Sequence, residues 1–503
     1  MLIAQVRELD QRTKGAFVKR TFTEAEKEDA KTAQDLYTFY AGRFAVKEAV
    51  FKAVAHLTAE KAFDLRMVET RRMTDGRPKV TCAGRFGEIL NRAGVDDILV
   101  SISNEGAYAI AIAEAVGHSV SLQDEERFRK QKERFYMSYK IFAINPGSTS
   151  TKIALIEDET VLFSKNVSHD AAKLAEFDGI SAQMPYRKET ILNLLQENQI
   201  SLDGVSAFVG RGGGLLPMEG GTYRIDETLL DHAVRGANGV QHPAQLGPQL
   251  ANEFAREYHC PAFVVNPPDV DELQDLARLT GIKGVNRMVH LHALNLKETA
   301  IRHAQSQGRK YEEQNYVVCH IGGGISVSAH RNGKMVDGYD IVGGEGPMAP
   351  TRSGSVAVAD LLRYAAGKDL KEVKSVCTRS GGLVSHLGTS DALEVSNRAE
   401  AGDAYAKMVW DTMIYQINKC IGSMAAVLHG KVDGILLGGG MVYNKGLVAQ
   451  IEEACGWIAP VSAYPGEFEM EAMASGAIRV LSGEEEAKTY TGVPVWSGFD
   501  FEK

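Results

Sequence analysis

KIFAINPGSTSTKIALIEDETVLFSKNV, residues 140–167, decides the fold. Residues 140–145 are apolar and extended, Pro-Gly-Ser-Thr-Ser-Thr-Lys turns as far as Lys152, and residues 153–156 alternate. Residues 157–160 turn again and lead into a third extended run, VLFSKNV. The pattern is strand, hairpin, strand, hairpin, strand. About 175 residues further on it returns. Residues 316–321 are apolar, Gly322-Gly323-Gly324 turns, ISVSAH alternates, and Arg331-Asn332-Gly333-Lys334 turns before MVDGYDI. Two unrelated hairpins would read this way. So would a duplicated α/β lobe whose tight hairpins face each other across a cleft.

The intervening segments favour duplication. Residues 188–197, 247–257 and 404–428 carry helical apolar spacing, the last ending at a His429-Gly430 cap. Residues 207–210, 262–265 and 434–437 read as strands. Alternating strands and helices imply α/β layers.

The whole chain has 503 residues, which at roughly 150 per domain implies two to four domains. Its 44% hydrophobic and 24% charged residues suit a globular protein. With 56 basic and 65 acidic side chains the net charge is −9, which disfavours a general nucleic-acid or anionic-membrane binder. Arg7 and Glu8 interrupt the start before a secretory apolar region can form, and no apolar run approaches the roughly 20 residues of a membrane helix. Six scattered cysteines without a CxxC pair read as reduced thiols, so a cytoplasmic location is expected. The charge-dense run SLQDEERFRKQKER, residues 121–134, reads as an exposed helix or linker. The expected organisation is a front domain over 1–118, a linker over 119–136 and a larger part over 137–503.

Gly-rich turns beside strands suit a nucleoside triphosphate, because backbone N–H groups can point at phosphate oxygens where no Cβ blocks approach. Three turns qualify: Asn145 to Lys152, Gly322–Gly324 and Gly438–Gly440. Gly147 with the hydroxyls of Ser148, Thr149 and Ser150, beside Lys152, sharpens the first. There is no GxxxxGK[ST] and no GxGxxG between a strand and a helix, which excludes a P-loop and disfavours a dinucleotide site. Phosphoryl transfer also needs fixed positive charge. Arg211 in VGRGGG and Arg352 in GEGPMAPTRSG stand in Gly-rich loops where such charge is useful.

FAINPGSTSTKIAL, VGRGGGLLP, CHIGGGISV, GEGPMAPTRSG, LLGGGM and PGEFEMEAMASGAIRVLSGEEEAKTY, in this order, resemble the butyrate kinase branch of the acetate kinase family. The resemblance runs from about Met137 to the end. It implies two RNase H-like lobes of the sugar-kinase/actin/heat-shock-protein fold, ATP and Mg2+ between them, a small carboxylate as substrate, and a homo-oligomer. It implies direct, reversible transfer from ATP to the carboxylate, giving an acyl phosphate and ADP. By the same resemblance Asn145 and the first hairpin contact the transferring phosphoryl group. Arg211 and Arg352 clamp carboxylate and γ-phosphate, and His242 and His292 line the site. His320 with Gly322, Gly323 and Gly324 forms the second phosphate hairpin, Gly438, Gly439 and Gly440 pass under adenosine, and Glu469, ahead of Glu467, takes the metal. Gly323 stands where the acetate branch has Asn. One departure is Asn266 in VVNPPDVDEL, where the family has Asp; Asp269 and Asp271 are nearby acids that could substitute.

The front part carries GRFAVKEA within a helical pattern over 40–55, DGRP as a turn at 75–78, and VSISNEGAYAIA within a strand, turn and strand over 100–115. This set resembles a holo-acyl-carrier-protein synthase, a small α+β 4′-phosphopantetheinyl transferase. It implies CoA, Mg2+ at Glu48, a CoA-phosphate contact at Lys47, an acyl carrier protein as partner, and a trimer. Ile3-Ala4-Gln5 replaces the family's Gly-Ile-Asp, and Ser103-Asn104 replaces Ser-His. A degenerate transferase serving as scaffold or CoA sensor is therefore expected. A nucleotide- and CoA-binding regulator without turnover, and a bifunctional enzyme, are the alternatives for the whole chain.

Overall fold

A computed structural model describes residues 2–54, 64–73, 77–82, 84–105, 107–117 and 138–502. The chain forms two compact units, Met1–Tyr136 and Met137–Lys503. The charged run over 121–134, and Asp75 and Gly76 of the DGRP turn, lie outside the described residues.

The first unit is α+β. A helix over Leu36–Val54 covers the ribbon of β3 (Asp97–Glu105) and β4 (Tyr108–Val116), and a shorter ribbon joins β1 (Thr70–Arg72) to β2 (Pro78–Val80). Val46, Val50, Val54, Leu90 and Ile98 form its core.

The second unit holds two sheets. β5 (Lys140–Pro146), β6 (Ser150–Glu157), β7 (Thr160–Ser168), β8 (Ala207–Gly210), β9 (Thr222–Arg224) and β10 (Ala262–Val265) lie in the order β7-β6-β5-β8-β10-β9. β11 (Asn315–Ile321), β12 (Ile325–Arg331), β13 (Lys334–Gly338), β14 (Gly434–Gly439) and β15 (Val461–Pro465) lie in the order β13-β12-β11-β14-β15. Apart from β9 the two orders are the same, an antiparallel meander extended by two parallel strands. The doubled hairpin pattern is thus a doubled RNase H-like lobe.

The central strands are buried on both faces, which is why they read as unbroken apolar runs. In β5, Phe142 and Ile144 enter one core while Ile141 and Ala143 enter another. In β11, Val317, Cys319 and Ile321 face one core while Tyr316 and Val318 face another. The helix Ala404–Val427 covers the second sheet through Trp410, Met413, Ile417 and Ile421. The last helix, Glu469–Leu481, returns to the first lobe and packs Met470, Met473 and Ala477 under β5, β8 and β10. Arg479 on that helix meets Glu298 of the helix Ala293–Ser306 at 3.1 Å, both buried. Among the described residues no helix is long and apolar enough to cross a membrane.

Boundaries differ from the sequence reading at several places, three of them near the first hairpin, the second meander and the helix behind the first hairpin. The first hairpin is tighter than expected: β6 restarts at Ser150, so Lys152 is a strand residue opposite Asn145. β13 stops at Gly338, short of the expected 341. The helix expected from 188 starts at Met184, with Pro185 in its first turn where a missing N–H costs nothing.

Helix Leu246–Tyr258 lies against β8 because two glycines meet there. A Cβ on Gly247 would sit 2.1 Å from the Arg211 carbonyl oxygen, and one on Gly210 2.1 Å from the Gly247 carbonyl oxygen. Gly247→Ala should therefore push the helix off the strand end. The expected cost is about 1–3 kcal/mol, as for other overpacked cores, read as a lower denaturant midpoint at unchanged slope; an unchanged midpoint would show that the contact relaxes freely.

Candidate active site

Parallel pairing aligns Ile144 of β5 with Gly210 of β8, so Asn145 and Arg211 leave adjacent strand ends together. In the second lobe His320 of β11 aligns with Gly438 of β14. The ends of both sheets thus bring the Gly-rich turns to one cleft.

The first hairpin closes with the Gly147 N–H donating to the Ser150 carbonyl at 2.7 Å. Ser148 and Thr149 are exposed at its tip. It is braced from behind by fully buried Arg187, whose guanidinium donates to the carbonyls of Gly147 and Ser150 and to Thr151 Oγ1, each at 3.0 Å. Gln183, one helical turn earlier, accepts from Arg187. Nothing near Arg187 in the sequence marks this brace, because the hairpin it holds lies about 40 residues earlier in the chain. Thr151 faces this brace and His169, away from the cleft.

Asn145 Nδ2 donates to Glu469 Oε2 at 2.7 Å, linking the first hairpin to the start of the last helix. Arg211 is only 9% exposed. Burial works against its charge, and the carboxylates of Glu469 and Asp269 oppose that effect. Its Nη1 donates to the Asn266 carbonyl at 3.3 Å. Asn266 itself has φ 37°, a left-handed conformation that Asn tolerates, and its Oδ1 accepts from the Gly221 N–H at 2.7 Å.

On the other side, His292 and His320 stack with ring centres 4.2 Å apart. His292 caps the helix Ala293–Ser306, and its Nδ1 lies 2.8 Å from Ser326 Oγ. Burial and the charges of His320, Arg352 and Arg211 hold His292 well below the usual histidine range. Burial pushes His320 down to about 4. Both rings are therefore neutral at physiological pH. Arg352 lies over Gly324: a Cβ there would meet its Nη1 at 1.9 Å, so any side chain at this position would displace the guanidinium. Arg352 Nη1 reaches the Gly323 carbonyl at 3.4 Å, while its Nε has no partner among the described residues. Gly439 is equally fixed, with φ 103° and Ile321 backbone atoms 2.5 Å from where a Cβ would stand.

Glu467 is pushed up by burial and by Glu469, with the positive charge of Lys152 opposing. Mg2+ is commonly held by one or two carboxylates and the substrate phosphates. Glu469 with Glu467 fits that donor set, and among the described residues no cage of three or more metal-binding side chains forms. His242 is less directly joined. Its Nδ1 accepts from the Ala244 N–H at 3.1 Å, and burial and Arg211 lower its pKa.

One expectation in the first unit changes. Lys47 is not free for a ligand phosphate: it is fully buried, paired with Glu26 at 2.7 Å and bonded to the Leu65 carbonyl. Its burial demands a partner, and Glu26 supplies it. Glu48 is exposed.

Two family models match the chain: the acetokinase family over residues 284–456 and the 4′-phosphopantetheinyl transferase superfamily over residues 2–113. Butyrate kinase 2 of Clostridium acetobutylicum is 45% identical over 356 residues, 70% of this chain and 100% of the relative. A Clostridium botulinum protein named "Probable butyrate kinase" is 44% identical over the same shares. The crystal structure of Porphyromonas gingivalis acetate kinase superposes with a TM-score of 0.56 at 20% identity, over 68% of this chain and 100% of that one.

The neutral histidine pair is directly testable. An NMR titration of the ring protons should find His320 unprotonated at pH 6 and titrating near 4. A midpoint near 6.5 would contradict the burial described. Because the folded value is depressed, this ring's contribution to stability is intact above about 6.5 and is lost as pH falls toward 4.

Proposed function

Since the chain belongs to the acetokinase family, through butyrate kinases that it matches over their whole length, we propose that its second unit phosphorylates a short-chain carboxylate with ATP. The substrate is butyrate or a branched analogue, and the products are an acyl phosphate and ADP. The observation that carries this reading is the convergence of Arg211, Arg352 and the neutral His292–His320 pair between two glycine hairpins.

A carboxylate oxygen attacks the γ-phosphorus in line as the bond to the ADP oxygen breaks. No proton moves, so no general base is required. Arg211 holds the carboxylate and Arg352 the γ-phosphoryl oxygens, and their fixed charge offsets the anionic transition state. The hairpin of Gly147, Ser148, Thr149 and Ser150, with Lys152, and that of Gly322–Gly324 cradle the phosphates. Gly438–Gly440 pass under adenosine. Asn145 orients Glu469. Bound at Glu469, Mg2+ would neutralise charge on the β- and γ-oxygens. His292 and His242 shape the carboxylate side without adding charge. Six free thiols suit a reducing cytoplasm.

For the first unit the reading is CoA binding without transfer. A cavity of about 660 Å3 is lined by Arg43, Arg72, Phe39, Thr38 and Asn104. Arg43 is 5% exposed, its guanidinium lies over the Phe39 ring at 4.9 Å, and its Nε has no partner among the described residues. An anionic group in the cavity would satisfy it. The metal implied for transfer would lack one carboxylate, because Gln5 stands where the resemblance places an acid and Asn104 where it places His, leaving Glu48 to hold it. One face of the β3–β4 ribbon exposes Leu99, Tyr108, Ile110 and Ile112, and a second copy of the chain is the occupant that suits it.

Incubating the full chain with Mg-ATP and acids from acetate to branched valerates, and trapping product as hydroxamate, should give acyl phosphate, most with four-carbon chains. Arg352→Ala should lower kcat/KM by about 10³-fold, as for other transition-state arginines. ATP binding without product from any acid would make the regulator reading the better one. Calorimetry should show CoA binding, weakened at least about tenfold by Arg43→Met, the loss of one charged hydrogen bond. Carrier protein incubated with CoA, Mg2+ and the chain should gain no mass; a gain of phosphopantetheine would overturn the degenerate-transferase reading.

A further inference from the structure

The buried Arg211 guanidinium needs a counter-charge, and position 266, where an acid was expected, is Asn. Two acids follow closely, Asp269 and Asp271, and the structure separates them. Asp271 is consumed: it pairs with Arg278 through both oxygens, at 2.7 and 2.8 Å, and both residues are buried. Asp269 is not. Its Oδ1 accepts from Asn238 Nδ2 at 2.7 Å, while its Oδ2 is shielded from solvent and makes no hydrogen bond of normal geometry among the described residues, the Leu215 backbone N–H also favouring its charged form.

The backbone fixes the segment that carries this carboxylate. Met218 N–H donates to the Asp269 carbonyl, and Asp271 N–H donates to the Met218 carbonyl. The glycine loop after Arg211 is pressed onto the same segment: a Cβ on Gly212 would stand 2.6 Å from Pro267 and 2.5 Å from Val264. Asn238, the partner of Oδ1, also accepts from the Val240 N–H and so shapes the loop leading to His242. Asp269 therefore sits where the Arg211 loop, the Pro267-Pro268 segment and the His242 loop meet.

We propose that Asp269 is a positioning residue that replaces the acid missing at position 266, its buried carboxylate balancing the charge of the Arg211 guanidinium, without direct ion-pair contact, where the carboxylate substrate is held. This deepens the kinase reading and rests on it. The charged and titratable groups that bear on Asp269 are Arg211 and His290, with Tyr490 further off, and His290 is itself engaged by Asp340 at 3.2 Å. Burial pushes Asp269 up to about 6. Its carboxylate is formed above that pH, so the support it gives Arg211 is lost as pH falls through about 6.

The test is kinetic and uses the full chain. Asp269→Asn keeps the size and the Asn238 contact but removes the charge. It should raise KM for butyrate and lower kcat/KM by about 10–100-fold, the range for removing a charge several ångströms away in a partly buried site, and should erase the acid limb near pH 6. Adding Asn266→Asp, which keeps the left-handed backbone and the acceptor for Gly221, should restore kcat/KM to within a few-fold. A structural role alone would not be rescued from a different position. Asp269→Asn within twofold of wild type would overturn the proposal. So would a loss that Asn266→Asp fails to rescue while the melting temperature and ATP affinity stay at wild-type values. If Asp269→Asn melts early, the pH profile of Asn266→Asp alone decides: a limb displaced from 6 supports the proposal, and an unmoved limb refutes it. A wild-type chain that phosphorylates no acid would sink the kinase reading itself, with this inference following it.

Discussion

A charged guanidinium that is nine-tenths out of water is the constraint on which the second unit is arranged. Arg211 stands at the end of β8, and burying such a charge is tolerable only when opposite charge and hydrogen-bond acceptors surround it. The surroundings come from far apart in sequence. Asn266 supplies a carbonyl from the β10 end, Glu469 a carboxylate from the last helix, and Asp269 a second carboxylate from the loop beyond. The paired glycines Gly210 and Gly247 let the supporting helix come close enough to fix the strand end. None of these contacts survives if the two sheets and the returning helix are not assembled together, so the fold and the charge are specified jointly.

Duplication supplies the other half. The same strand order in both lobes presents two glycine turns to one cleft, one braced by Arg187 and one lying beneath Arg352. Between them, burial keeps His292 and His320 neutral, so the arginines carry the positive charge while the rings supply shape and polarity. That division suits a reaction in which anionic oxygen attacks anionic phosphoryl and no proton is transferred.

Much of this was readable from residues 140–167 and their echo, because strands buried on both faces leave long apolar runs and tight hairpins need glycine. The helices over 247–257 and 404–428 were readable from their spacing to within a residue or two. What escaped the sequence depends on burial and on partners distant in the chain. Lys47 matched a ligand-binding motif, yet its partner Glu26 lies in another helix and only packing reveals that the pair is sealed. Nothing local marks Arg187 as the residue that braces the first hairpin. The role of position 266 was also divided differently: Asn266 uses its side chain on Gly221 and its carbonyl on Arg211, so a side-chain substitution leaves the carbonyl contact in place.

The stereochemical course at phosphorus tests the central claim most directly. With ATP made chiral at the γ-phosphorus by oxygen isotopes, and butyrate as acceptor, a single in-line displacement between the two arginines inverts configuration. Inversion is the predicted result. Retention would mean two displacements through a phosphorylated side chain, and would contradict the account of a cleft that works by charge and position alone.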